Sequence, residues 1–302
     1  MYVGGSFNQT GSASGANNIA MWNGSKWDSL GDGTPSSLVC IFFDQNTSSL
    51  YAIESSGQIL IWDGTNWNSF VVSSFLSGYV NSLAFDSNSN RLYVGGAFNQ
   101  VGSLLNTNNV AMWDGSNWNS LQNGINGFVY ALAYDSNSNQ LYVGGWFSQA
   151  GSTPNTSNIA MWDGTNWNSL ENGINGSEVV ALAFDSNSNQ LYVGGSFSQA
   201  GSTSNTINIA MWDGSSWNSL QKGINGAGIY SLALDSNSNL LYVGGNFVSL
   251  PANPSANYFV IWNGSDWNSV QTNLVNDTSL VSYRCISIKL KVLVFVAKVP
   301  EI

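Results

Sequence analysis

Three observations predict an all-β chain. Tryptophans come in pairs at a near-constant interval, a Tyr-Val-Gly-Gly segment precedes most pairs, and turn-forming residues separate every short apolar run. A Trp-(Asp/Asn)-Gly triplet begins at Trp22, Trp62, Trp113, Trp162, Trp212 and Trp262, at intervals of 40, 51, 49, 50 and 50 residues. Each is followed five residues later by a second tryptophan, at positions 27, 67, 118, 167, 217 and 267. Repetition at such a period marks one supersecondary unit per copy, stacked on its neighbours. Four short antiparallel strands per copy, set radially about an axis, give a β-propeller of about six blades.

The copy from Val179 to Gly228 defines the elements. Residues 179–184 are apolar and form strand A. Asp185-Ser186-Asn187-Ser188-Asn189 follows as a tight turn, because Asp and Asn side chains bond nearby backbone and tolerate left-handed geometry. Leu191-Tyr192-Val193-Gly194-Gly195 is strand B, whose glycine pair permits a bulge or close backbone approach. After a loop, Ile209-Ala210-Met211-Trp212 is strand C, Asp213-Gly214 starts a hairpin turn, and Trp217 to Leu220 form strand D. A buried tryptophan removes about 150–250 Å² from water, so packing between blades suffices to explain the recurring pairs. Sugar stacking is the alternative reading of these rings. Trp146 alone belongs to no pair.

The wording Leu-Tyr-Val-Gly-Gly-x-Phe, then Ile-Ala-Met-Trp-Asp-Gly-x-x-Trp-Asn-Ser-Leu, resembles kelch-type, galactose-oxidase-like repeats. It is most similar to repeats of bacterial secreted and surface proteins and of fungal cortical polarity markers, and the resemblance covers residues 1–279. It implies a propeller that binds proteins or glycans. Copper-binding histidines, which the galactose oxidase activity needs, are absent. The second copy departs from the pattern: Ile53-Glu54 replace the glycine pair, and Tyr51 lies 11 residues before Trp62 where other copies have 20.

The chain is read as a single propeller domain, 1–302, with repeats at about 1–37, 38–78, 79–128, 129–178, 179–228 and 229–279. It opens with a B strand, so an A strand near residue 280 is expected to complete the first blade in a one-plus-three split. Met1 stands where other copies have Leu, which reads as a start inside a repeat and hence a fragment of a longer product. Residues 280–302 contain neither Gly nor Asn and are read as an atypical closing strand or a frameshifted tail.

Composition narrows the function. A net charge of −10 with seven basic residues leaves no basic surface for nucleic acid. No apolar stretch is long enough for a membrane span, and no signal peptide is visible. There is no histidine, which removes His-based triads, His metal sites and the usual general base. Nine of the seventeen carboxylates recur in the A–B and C–D turns, a poor basis for one asymmetric active site, so no enzyme and no cofactor are expected. Asp-Ser-Asn-Ser-Asn spaces oxygens as calcium loops do, but lacks their glycine and distal glutamate, so a hydrogen-bonded turn is preferred. Asn-x-Ser/Thr sequons stand at Asn8, Asn23, Asn46, Asn155, Asn175, Asn263 and Asn276. Cys40 and Cys285 are read as buried thiols.

Antiparallel order puts the A–B and C–D turns on one side and the B–C and D–A connections on the other. The second side carries the differences between copies, as a recognition face requires. Its apolar exceptions, Leu104, Leu105, Phe128, Tyr258 and Trp146 at a loop root, are the candidate binding residues, with local packing as the competing reading. A monomeric module of an extracellular or cell-surface protein, holding a protein or glycan there, is expected. A lectin-like propeller, a structural spacer and a calcium-binding repeat are the alternatives.

Overall fold

The computed structural model describes residues 2–11, 13–44, 48–70, 78–235, 237–247 and 258–269, and every element among them is a β-strand. Five sheets have four antiparallel strands in the order A-B-C-D. In blade 4 these are Phe128–Asp135, Gln140–Trp146, Ile159–Trp162 and Trp167–Asn168, and in blade 5 Ile174–Asp185, Gln190–Ala200, Ile209–Trp212 and Trp217–Asn218. Blades 2, 3 and 6 repeat the plan, with A strands Leu38–Asp44, Gly78–Asp86 and Gly228–Asp235. The chain is therefore a six-bladed β-propeller. The first sheet contains the B, C and D strands Tyr2–Gly4, Ile19–Trp22 and Trp27–Ser29. The A strand expected for it near residue 280, and the tail, lie outside the described residues. Two short strands, Gln9–Thr10 and Ala13–Ser14, add a hairpin in the first B–C loop.

Packing between blades follows from the repeated residues. Within each blade the two tryptophans face one another across strands C and D, with ring centroids 5.3 Å apart in blades 1, 2, 4 and 5. The second indole reaches the preceding blade: Trp67, Trp167 and Trp217 donate Nε1–H to the carbonyls of Leu30, Leu121 and Leu170. Trp167 and Trp217 are buried, so these bonds lie in dry seams. A second contact rings the inner strands. The tyrosine of strand B packs on the penultimate residue of the next A strand, stacked in Tyr93–Tyr134 and Tyr142–Phe184 and tilted in Tyr2–Phe43, at 5.5–5.7 Å.

The glycine pair has two separate reasons. A Cβ on Gly144 would meet Cγ1 of Val179 in the next blade at 2.5 Å, so this glycine lets two blades approach. On Gly145 it would meet the Phe128 carbonyl at 2.0 Å, beside the bulge between Val129 and Ala131 in the same blade. In blade 2 the pair is Ile53-Glu54, both buried. There the Glu54 carboxylate accepts hydrogen bonds from the Ser36 amide (2.8 Å) and the Ser56 hydroxyl (3.3 Å).

The A–B turns use their carboxylates internally: Asp86 Oδ1 accepts the amides of Asn88 and Ser89, and Asn90 takes a φ of 54°. One reading needs correction. Cys40 is buried but disulfide-bonded, not a thiol. The chain's other cysteine, Cys285, lies outside the described residues.

Candidate binding face

The B–C and D–A side is built on a repeated brace. In blades 3, 4 and 5 an asparagine with a left-handed backbone, Asn109, Asn158 or Asn208, ends the long loop at φ 61–62°. Its side-chain oxygen accepts the amide of Phe98, Phe147 or Phe197, and its Nδ2 donates to the carbonyl of Ile125, Ile174 or Ile224. A buried threonine braces the other end: Thr156 and Thr206 accept the Ala150 and Ala200 amides, both at 2.9 Å. These loops are thus held frames. Variation is left to the side chains mounted on them.

Phe128 opens strand A of blade 4 and Trp146 closes strand B, and the two stand directly opposite in the register. Their centroids are 5.6 Å apart at 56°, and Tyr130 lies 6.5 Å from Phe128. Trp146 is 57% exposed and Phe128 42%, although large aromatic rings gain most from burial. The same position in blade 3 holds Tyr79, 61% exposed and opposite Ala97. In blade 5 it pairs Glu178 with Ser196, and in blade 6 Gly228 with Asn246. The candidate set from the sequence omitted Tyr79. Its register position, equivalent to that of Phe128, is the signal that finds it.

The other candidates lie elsewhere. Leu104 and Leu105 occupy the loop tip of blade 3, Leu104 half-buried with its amide on the Val101 carbonyl, and Leu105 70% exposed. The residue equivalent to Leu104 in blade 4, Thr153, donates to the carbonyl of Trp167 in the outermost strand. Phe128 and Trp146 stand on the two innermost strands, so the structure does not bring the leucines to them. Tyr258 takes the brace position of Asn158 and Asn208 at φ 60°, accepts the Gly245 amide through its carbonyl, and is half-buried. No group of three or more His, Cys, Asp or Glu side chains is gathered to hold a metal among the described residues. No described helix is long and apolar enough to cross a membrane.

The family model described as the Rax2 C-terminal beta propeller domain matches residues 73–160 and 116–291. The chain belongs to this family. Among solved structures, this Rax2-family propeller is similar to the WD40 repeats of RRP9, with a TM-score of 0.52 and 14% identity over 83% of this chain and 73% of that one. It is also similar to a GH74 enzyme of Niastella koreensis, with a TM-score of 0.49 and 19% identity over 76% of this chain and 36% of the enzyme. At such identities the first likeness shows the fold alone. No curated protein matches.

Proposed function

We propose that this Rax2-family propeller is a non-enzymatic binding module of kelch type, belonging to a secreted or cell-surface protein. Its protein ligand lies on the B–C/D–A face across Phe128, Trp146 and Tyr79. The observation that carries the reading is the Phe128–Trp146 pair, two large rings left open to water on a braced scaffold whose other tryptophans are at least partly buried. Exposed apolar patches of this kind mark interaction sites, and aromatic residues dominate the energetics of interfaces. The carboxylates of the repeat support the non-enzymatic part, because one oxygen of each accepts an amide of the turn that contains it.

A photo-cross-linking residue at position 146 of the full-length protein tests the reading. It is expected to give a discrete adduct on the outer side of intact cells, and Phe128→Ala is expected to abolish that adduct while Leu105→Ala leaves it. An adduct indifferent to Phe128, or one confined to the cell interior, contradicts it.

A further inference from the structure

A second feature of the same face sits in blade 1, away from the aromatic pair. A cavity of about 910 Å³ is lined by Ser6, Phe7, Asn8, Gln9, Asn17, Asn18 and residues 32–35. Its origin is legible in the repeat. In blades 3 and 4 the D–A connection is covered by the next blade's long B–C loop: Ile125 bridges to Ala150, and Ile174 pairs with Ala200. Asn126 also ties the two together, accepting the Ser148 and Gln149 amides and donating to the Ser148 hydroxyl. Blade 2 replaces that loop with a tight turn in which the Gly57 amide meets the Glu54 carbonyl, so the connection leaving blade 1 has no such cover. The residues there have changed accordingly. Thr34 stands where Ile125 and Ile174 stand, and Pro35 replaces the tying Asn126.

The lining has a definite chemistry. Amides of Asn8, Gln9 and Asn17 and the carboxylate of Asp32 are part of the lining, Gln9 Nε2 donating to the Gly11 carbonyl and Asn17 Nδ2 to the Asp32 carbonyl, and Asp32 is the only ionisable side chain among the lining residues. The side chains of Asn8 and Asp32 are exposed and make no hydrogen bond among the described residues. Phe7 is half-buried, whereas its equivalents Phe98, Phe147, Phe197 and Phe247 are all buried. The lining contains no cation to receive a phosphate or carboxylate, and only Phe7 and Pro35 offer apolar surface to a peptide side chain. The unpaired Asn8 amide and Asp32 carboxylate, beside a single half-buried ring, match a polyhydroxylated neutral ligand.

We propose that this cavity is a binding subsite for a neutral oligosaccharide. The hydroxyls would be bonded by Asn8, Gln9 and Asp32, and one sugar face would lie on Phe7. The site is independent of Phe128 and Trp146, so it stands or falls separately from the protein-binding reading.

The test uses the whole chain made without N-glycosylation, because Asn8-Gln9-Thr10 is itself a sequon. Neutral gluco-, manno- and N-acetylglucosamine tetrasaccharides are titrated by calorimetry and by amide chemical shifts. One of them is expected to bind and shift residues 6–9, 17–18 and 32–34. Asn8→Ala and Asp32→Ala, both at exposed positions, are each expected to weaken it about tenfold at unchanged Tm. Trp146→Ala is expected to leave it unaffected. Phe7→Ala is read only if its Tm is retained, and is then expected to weaken binding by at least as much. Binding by none of the three sugars, shifts centred on Trp146 instead, or full affinity in both Asn8→Ala and Asp32→Ala overturns the proposal.

Discussion

Asn158 does several jobs that an asparagine in a polar repeat does not advertise. It accepts the Phe147 amide (3.3 Å), donates to the Ile174 (3.2 Å) and Gly176 (3.1 Å) carbonyls, and holds a backbone φ of 62° that most side chains resist. Asn158→Gly removes the bonds and relaxes the backbone, whereas Asn158→Ala removes the bonds and keeps the strain. We expect a loss of about 1–3 kcal/mol for the glycine variant and a larger one for alanine, measured by urea unfolding. Equal losses would assign the effect to hydrogen bonds alone. This brace could not be read from the sequence, where asparagine is abundant and serves turns and solubility as readily as loop anchors. The paired tryptophans were legible, because two large rings recurring at one interval have packing as their plain physical use. Tyr79 was not, since a single tyrosine near a strand start means nothing until the register aligns it with Phe128.

The turns are the elements whose electrostatics make a measurable difference. In the C–D turn of blade 5 the amides of Ser215 and Ser216, the Ser215 hydroxyl and Asn218 converge on Asp213 and hold its carboxyl down to about 2. Asp63, Asp114 and Asp163 are lowered in the same way, chiefly by the amide of Asn66, Asn117 or Asn166. Carboxyls whose folded pKa lies below the unfolded value stabilise the fold above the unfolded pKa, and that contribution disappears as pH falls through the folded value. Tm is therefore expected to be level near neutrality and to fall between about pH 4 and pH 2, with Asp213→Asn flattening part of the decline. These carboxylates are exposed, so each contribution is small and screened by salt. A decline of equal size in the asparagine variant would remove the turns from the explanation. The glycine-pair strand was legible as a site of close approach, but not its division of labour. One glycine admits the next blade and the other admits its own A strand, a distinction that requires the bulge at Val129 to be placed.

Across the whole ring the blades are alike in plan and unequal in their seams. Trp217 donates to Leu170 across the seam between blades 4 and 5, while the Trp267 indole nitrogen, in the seam between blades 5 and 6, is buried without a partner. Trp217→Phe is expected to cost about 1 kcal/mol by losing a buried hydrogen bond, the Leu170 carbonyl keeping the Gly173 amide, and Trp267→Phe clearly less, because it removes a donor that had no acceptor. Chemical denaturation of both variants decides this, and a larger loss for Trp267→Phe would contradict the seam description. The same comparison of blades explains what was hidden in the second copy. Its shortened B–C connection was visible by counting residues, yet the cavity it leaves beside Thr34 and Pro35 exists only because neighbouring blades cover one another.

The proposed recognition surface consists of the exceptions mounted on a repeated frame, above all the open pair Phe128 and Trp146. Fluorine NMR of the chain labelled with 5-fluorotryptophan reads this most directly, since the thirteen tryptophans give separate signals and Trp146 alone among them is an exposed large side chain. On addition of the partner identified by cross-linking, the Trp146 resonance should shift or broaden first and most, with the twelve paired tryptophans nearly unchanged. A Trp146 signal that stays in place while paired tryptophans move would show that recognition runs through the seams and not through this face.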